Sequence, residues 1–230
     1  QFLDVGRGDS AFLRTPGGTT VLIDGGNLSD KTDMGERVVV PFLLGHGVSR
    51  LDCVAVSHAD SDHLGGLFTV VETLGVGEVL LGPSDGKAVL EKEFVALCDR
   101  KHIPVHRLLR GETIDLKDAR LEVLYPPGEW NTLDENNRSL VLRYTWDGPS
   151  VLFTGDIERQ GERSLAKTEC RAEVLKVPHH GSNTSSTAPF IAAVHPRYAI
   201  ISTLATKRLH AVGDGVLERY EQQGVIVMRT

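Results

Sequence analysis

Four of the six positions from His58 to His63 carry metal-ligand side chains: His58, Asp60, Asp62 and His63. They follow the apolar run 51–56, which reads as a buried strand, and precede Leu64-Gly65-Gly66, after which residues 67–74 carry a helical pattern. Two imidazoles and two carboxylates in one short turn repel one another or lose hydration at high cost unless a cation joins them. A divalent metal is therefore the simplest reading of the cluster. The carboxyl end of a strand is also where open α/β sheets place their sites. The structural alternative is a polar loop in which Asp62 caps the helix that follows.

Composition narrows the frame. With 230 residues, 40% hydrophobic and 24% charged, the chain is long enough for one good core. Residues 1–230 read as a single domain, because no repeat, low-complexity tract or Pro/Gly/Ser-rich linker divides them. The apolar runs fall short of the roughly 20 residues a membrane span needs, and no charged-then-apolar signal segment opens the chain. A formal charge of −6 argues against a domain that grips polyanions over a broad basic surface, so any nucleic-acid contact has to be local. Lys176, Arg197, Lys207 and Arg208 are candidate phosphate contacts, with solvated surface as the plainer reading. Cys53, Cys98 and Cys170 are odd in number and widely spaced, as expected of small buried hydrophobes rather than of disulfides or thiolate ligands.

Along the chain, residues 1–5, 10–14 and 19–24 alternate short strands with turns and predict a β-meander. From residue 34 onward strands and helices alternate: helix 36–44, strand 51–56, helix 67–74, strand 78–81 and helix 85–101. Strands follow at 105–108, 120–125, 139–144 and 150–154, then helix 157–168. The last stretch predicts strand 172–177, helix 188–194, strand 198–202, helix 213–223 and strand 225–228. Two strand-rich halves, each ending in strand-helix units, point to the α/β class and a four-layer αββα sandwich with two facing sheets.

The design of the first cluster recurs twice. Val151-Leu152-Phe153-Thr154-Gly155-Asp156 is an apolar strand ending on a carboxylate, and Val174-Leu175-Lys176-Val177-Pro178-His179-His180-Gly181-Ser182 is another ending on paired histidines. The set His58/Asp60/Asp62/His63, Asp156 and His179/His180 resembles the metallo-β-lactamase superfamily, whose usual first motif is His-x-His-x-Asp-His and whose fold is the αββα sandwich. Within it, the segment Asp4-Val5-Gly6-Arg7-Gly8-Asp9-Ser10, the segment Asn136-Asn137-Arg138-Ser139-Leu140-Val141-Leu142, Thr154-Gly155-Asp156 and Pro178-His179-His180-Gly181-Ser182 are similar to the soluble domain of ComEC-type competence proteins. Arg7 stands where those relatives usually have Gln. Thr206-Lys207-Arg208-Leu209-His210-Ala211 is a degraded form of their Asn-x-Tyr-Gly-His-Pro element, which leaves His210 only as a possible substrate contact.

The resemblance implies a ligand set. His58 and Asp60 would face one metal; Asp62, His63 and His180 a second; Asp156 would bridge. Asn137, read as a residue behind the ligands or a possible substrate contact, stands where a further His ligand is usual, and Asp60 stands where the second motif His is usual. These replacements favour hard oxygen-preferring ions, so two divalent ions are expected, Mn²⁺ preferred and Zn²⁺ possible. Two such ions activate water and clamp a phosphoryl group. Asp62 and His179 are then the catalytic candidates, with His179 as hydrogen-bond donor or general acid; on an extended segment adjacent side chains point apart, which gives the metal to His180 alone. Asp24, in Ile23-Asp24-Gly25-Gly26, either holds a ligand histidine from behind or forms an Asp-Gly turn; Ser182 is a possible substrate contact. Asp4 and Asp9 read as structural, folding their Gly-rich segment back on itself.

The function implied is degradation of the non-imported DNA strand, single-stranded, during natural transformation. The domain would be cut from a larger protein with a transmembrane channel, as a start at Gln1 without Met also suggests, and would lie on the outer face of an inner or cell membrane. Two other readings use the same residues: hydrolysis of a different phosphodiester, or a catalytically silent DNA-binding domain of a membrane channel. β-Lactam and thioester hydrolysis fit less well, because those sites keep a histidine-rich first metal position.

Overall fold

The computed structural model describes residues 1–203 and 212–230. Two strands, β1 (Ala11–Arg14) and β2 (Thr20–Ile23), open the fold as an antiparallel hairpin, and β3 (Leu28–Ser29) and β4 (Thr32–Asp33) form a small separate ribbon. One π-helical turn leads into α1 (Val40–Gly45), followed by β5 (Arg50–Val56), α2 (Ser61–Leu64), α3 (Leu67–Thr73), β6 (Gly75–Leu81), α4 (Val89–Arg100) and β7 (Val105–Arg107). The second half runs β8 (Thr113–Asp115), β9 (Arg120–Tyr125), β10 (Val141–Thr145), β11 (Val151–Phe153), α5 (Arg159–Leu165), β12 (Val174–Lys176), α6 (Ala188–Val194), β13 (Tyr198–Ile201), α7 (Val216–Glu221) and β14 (Ile226–Arg229).

The strands form one sheet in the order β1-β2-β5-β6-β7 and another in the order β14-β13-β12-β11-β10-β9-β8. Pairing is parallel from β2 to β7 and from β11 to β14, and antiparallel elsewhere in both. Period-two alternation explains the layering. Val21, Ile23, Cys53 and Ala55 of the first sheet meet Leu121, Val123, Leu142 and Phe153 of the second in a central core. Leu22, Val54 and Val56 point the other way, onto Leu43, Leu67, Val70 and Phe94 of the helices. Leu152, Leu175 and Ala199 likewise pack on Leu165, Phe190 and Tyr220. Three cores between four layers make an αββα sandwich. Cys53, Cys98 and Cys170 are free and buried.

Several boundaries differ from the sequence expectation. Residues 1–5 form a single bridge, Phe2 to Ala11, instead of a strand. Left-handed Gly6 and Gly8 turn the chain inward there. At Gly8 a Cβ would lie 2.3 Å from the Asp62 carbonyl oxygen, so the absence of a side chain is what lets Asp9 donate its N–H to that oxygen at 3.1 Å. Helix α4 begins at Val89 rather than 85, because residues 82–88 run as an irregular wall beside the site.

Candidate metal centre

The carboxyl ends of β2, β5, β11 and β12 converge between the two sheets and deliver Asp24, Ser57-His58, Asp156 and Lys176, while α2 adds Asp62 and His63. Asp156 is the hub. Its Oδ1 is 3.3 Å from His63 Nε2, and its Oδ2 is 3.4 Å from His180 Nε2 and 3.7 Å from His179 Nε2. Asp62 Oδ2 closes the group at 3.6 Å from His180 Nε2. One ligand atom from each of Asp9, His63, Asp156 and His180 lies within 4.8 Å of the others, and all four residues are buried.

The imidazole hydrogen bonds test whether this group fits a cation. His63 Nδ1 sits 2.9 Å from Asp24 Oδ2 and His180 Nδ1 3.1 Å from the Ser202 carbonyl. Both partners only accept, so both Nδ1 atoms carry the proton. Ser57 gives its hydroxyl proton to Asp24 Oδ2 at 2.7 Å and therefore accepts from His58 Nδ1 at 3.0 Å. All three rings are thus fixed with Nε2 lone pairs turned to the site. His58 Nε2, His63 Nε2, His180 Nε2 and Asp156 Oδ1 are buried without a hydrogen-bond partner, a cost of about 1–3 kcal/mol each if nothing else meets them. With Asp9 Oδ1, also buried and unpartnered, five such orphans in one place are what a ligand shell looks like from the protein side. The residues present fit a divalent cation at the Asp9, His63, Asp156 and His180 group, beside which Asp62 offers a further carboxylate 3.6 Å from His180 Nε2.

In the metal-free centre His63 Nε2 takes a proton instead: burial opposes the charge on His63, yet Asp156 and Asp24 outweigh it and raise its pKa well above the usual range. Burial likewise penalises the Asp156 carboxylate, and His63 and His180 outweigh that, keeping it well below the carboxylate range. A cation at Nε2 would take over the role that this proton plays.

The sequence expectations meet the structure unevenly. His58, with its side chain 2% exposed, stacks 4.2 Å from the His63 ring and lies 3.5 Å from Asp60 Oδ2, but Asp60 is 48% exposed and stands outside the tight group. Asn137 donates its amide to Asp134 at 2.9 and 3.0 Å, and its Oδ1 accepts from Glu158 N and Gly161 N, which braces the chain just after Asp156. Ser182 bonds Thr184 at 2.9 Å, and His210 lies outside the described residues, as do Lys207 and Arg208. The segment 179–181 is not extended; His179, His180 and Gly181 are all left-handed, with φ of 48°, 52° and 77°. The two rings still diverge, at 71° and 6.3 Å between centroids. His179 Nδ1 instead meets Glu158 Oε1 at 3.1 Å, an oxygen that also accepts from Thr184 at 2.8 Å.

Two residues change role. Asp9, read as structural, is buried beside the Nδ1 edges of His63 and His180, 3.6 Å from each. Lys176, read as a surface cation, is 3% exposed, ion-paired to Asp9, 3.6 Å from Asp156 Oδ1 and donating to the Gly155 carbonyl at 3.2 Å. Burial opposes its charge, and Asp9 and Asp156 outweigh that and raise its pKa. Its signal was in the sequence: Lys176 ends an apolar strand in the register that faces the opposite sheet.

Residues 3–205 match the model of the Metallo-beta-lactamase superfamily. The chain belongs to that superfamily. Over its whole length it is 30% identical to ComE operon protein 3 of Bacillus subtilis (strain 168), covering 31% of that protein, and over 99% of its length it is 32% identical to Competence protein ComA of Neisseria gonorrhoeae, covering 30%. It therefore spans about a third of the length of these curated relatives. Among solved structures, the metallo-beta-lactamase fold protein YhfI from Bacillus subtilis superimposes with a TM-score of 0.62 at 13% identity over 97% of this chain and 89% of that one. CmlA, a diiron beta-hydroxylase from Streptomyces venezuelae, gives 0.65 at 16% identity over 100% of this chain and 52% of that one. Both show a shared fold.

Proposed function

We propose that this chain is a metal-dependent phosphodiesterase that hydrolyses DNA, acting on the strand that is not imported during natural transformation. The observation that carries the chemistry is the convergence of three imidazole Nε2 atoms and Asp156 Oδ1, buried and without partners, at the strand ends. The likeness to competence proteins supports DNA as the substrate class.

His63, His180, Asp156 and Asp62 would hold one divalent ion, and His58 and Asp60 a weaker second; when bound, these would supply Lewis-acid polarisation of a phosphoryl oxygen and a lowered pKa for water. Asp24, Ser57 and the Ser202 carbonyl hold the imidazoles in the required tautomer. Lys176 balances Asp9 and part of the charge on Asp156. His179, with its ring oriented by Glu158 and its Nε2 beside Asp156, is placed to deliver a proton to the leaving oxygen. Three imidazoles with three carboxylates form a mixed nitrogen and oxygen set, for which we expect Mn²⁺ to serve best and Zn²⁺ to be tolerated. In the whole protein the domain would sit outside the cytoplasm beside a membrane channel; among the described residues no helix is long and apolar enough to cross a membrane. The test is a gel assay with end- and internally labelled single- and double-stranded DNA over several metals. Metal-dependent cleavage of DNA supports the reading; hydrolysis confined to small phosphodiesters replaces DNA with another ester, and hydrolysis of nothing leaves a silent binding domain.

A further inference from the structure

The centre gathers more carboxylates than cations. Asp9, Asp24, Asp60, Asp62 and Asp156 each stand within 3.6 Å of one of its imidazoles. Once the Nε2 lone pairs serve a metal the rings are neutral, so only lysine and arginine can offset these acids from the protein side. Among the described residues two such side chains reach them. Lys176 is sealed between the sheets, 3% exposed and paired with Asp9 and Asp156. Arg7 faces the other way: its Nε lies 3.9 Å from Asp62 Oδ2, with its side chain 75% exposed. Lys176 and one divalent ion together leave the centre anionic. A phosphodiester, itself an anion, is repelled by that excess, and Arg7 is the cation that meets it from the solvent side.

The backbone on both sides of Arg7 is pinned. Gly6 donates its N–H to Asp4 Oδ1 at 3.1 Å, and Asp9 donates its N–H to the Asp62 carbonyl at 3.1 Å. Gly8 between them passes so near that carbonyl that a Cβ there would lie 2.3 Å from its oxygen. Position 7 is thereby held beside Asp62 while its side chain stays in solvent. At 3.9 Å the contact with Asp62 is an ion pair and not a hydrogen bond, so the guanidinium donors are open to a better acceptor. We propose that Arg7 is the substrate clamp of this centre, its guanidinium taking two oxygens of the phosphoryl group that the ion polarises. The planar fork of arginine suits a phosphate in a way that the point charge of lysine does not. The inference rests on the reading of the centre as a phosphodiesterase.

The probe is inorganic phosphate, titrated calorimetrically into the chain saturated with Mn²⁺, with Mn²⁺ affinity measured separately on each variant. Arg7→Gln keeps a polar side chain in solvent and should fold. It should weaken phosphate binding by about 10- to 100-fold, the worth of hydrogen bonds between charged groups. Its Mn²⁺ affinity should not fall, because removing a cation beside Asp62 can only favour an ion there. Arg7→Lys should recover part of the phosphate affinity. Unchanged phosphate binding in Arg7→Gln, no phosphate binding by the unaltered loaded chain, or a loss that merely follows loss of Mn²⁺ overturns the inference. Phosphate binding that depends on Arg7, with no phosphate ester cleaved, upholds the clamp and removes the phosphodiesterase reading instead.

Discussion

At the scale of single residues, the centre is set by which nitrogen of each imidazole carries its proton. Asp24, Ser57 and the Ser202 carbonyl take the three Nδ1 protons, and His180 shares Asp156 with His63. His180→Ala should therefore lose metal and activity together. His179→Ala, which removes a ring held by Glu158 outside the tight group, should keep its metal and slow turnover by roughly 10²–10⁴-fold; metal analysis and kinetics on the two purified variants check this. Lys176→Met leaves Asp9 and Asp156 buried without their counter-ion, and should lower the stability of metal-free protein by about 3–5 kcal/mol in urea titrations, with part of the loss restored by metal. The histidines and Asp156 were legible because each ends an apolar run. Asp9 was not, because its place follows from a close backbone approach at Gly8, 50 residues away from the main cluster and invisible to local pattern. Asn137 stands behind the ligands, its amide held by Asp134 and the start of α5.

At the scale of elements, α2 presents Asp62 and His63 only because three backbone segments touch. A Cβ on Gly66 would lie 2.1 Å from the Gly25 carbonyl oxygen, and one on Gly35 would lie 2.1 Å from that of Gly66. Gly66→Ala forces α2 and α3 away from β2, so it should cost about 1–3 kcal/mol or more and weaken metal binding as well; denaturation paired with metal titration separates this from a loss of stability alone. The edge of β2 offers a pH test. Asp52 accepts from Thr20 N at 2.8 Å and Thr20 Oγ1 at 2.9 Å, and the Thr20 backbone bond is the main reason its pKa is lowered. A depressed carboxylate stabilises the fold above its unfolded pKa near 3.8 and loses that contribution as pH falls through the folded value. Because Asp52 is exposed, Asp52→Asn should remove less than about 1 kcal/mol at neutral pH and nothing in strong acid, read from urea midpoints against pH. Strands and helices with clean periodicity were readable from sequence, and 120–125 and 188–194 agree to the residue. The four-residue α2 and the two-residue strands β3 and β4 were not, since they are too short to show a period.

At the scale of the whole molecule, the four layers were legible in the alternation of strand and helix, whereas the site lies where four strands distant in sequence end at one level. An acidic chain with its cations placed locally should hold DNA through few phosphate contacts. Cleavage of DNA should then fall with salt, with a modest slope set by those few contacts, while hydrolysis of a small phosphodiester stays nearly flat, and parallel salt curves would exclude phosphate steering. Where the ion sits is measurable without any activity. Crystals of the chain soaked in Mn²⁺ and measured at the manganese absorption edge should show an anomalous peak bounded by His63 Nε2, His180 Nε2, Asp156 and Asp62, with any weaker second peak beside His58. No peak at saturating Mn²⁺, or one on the Nδ1 side between Asp9 and the two rings, would contradict the account.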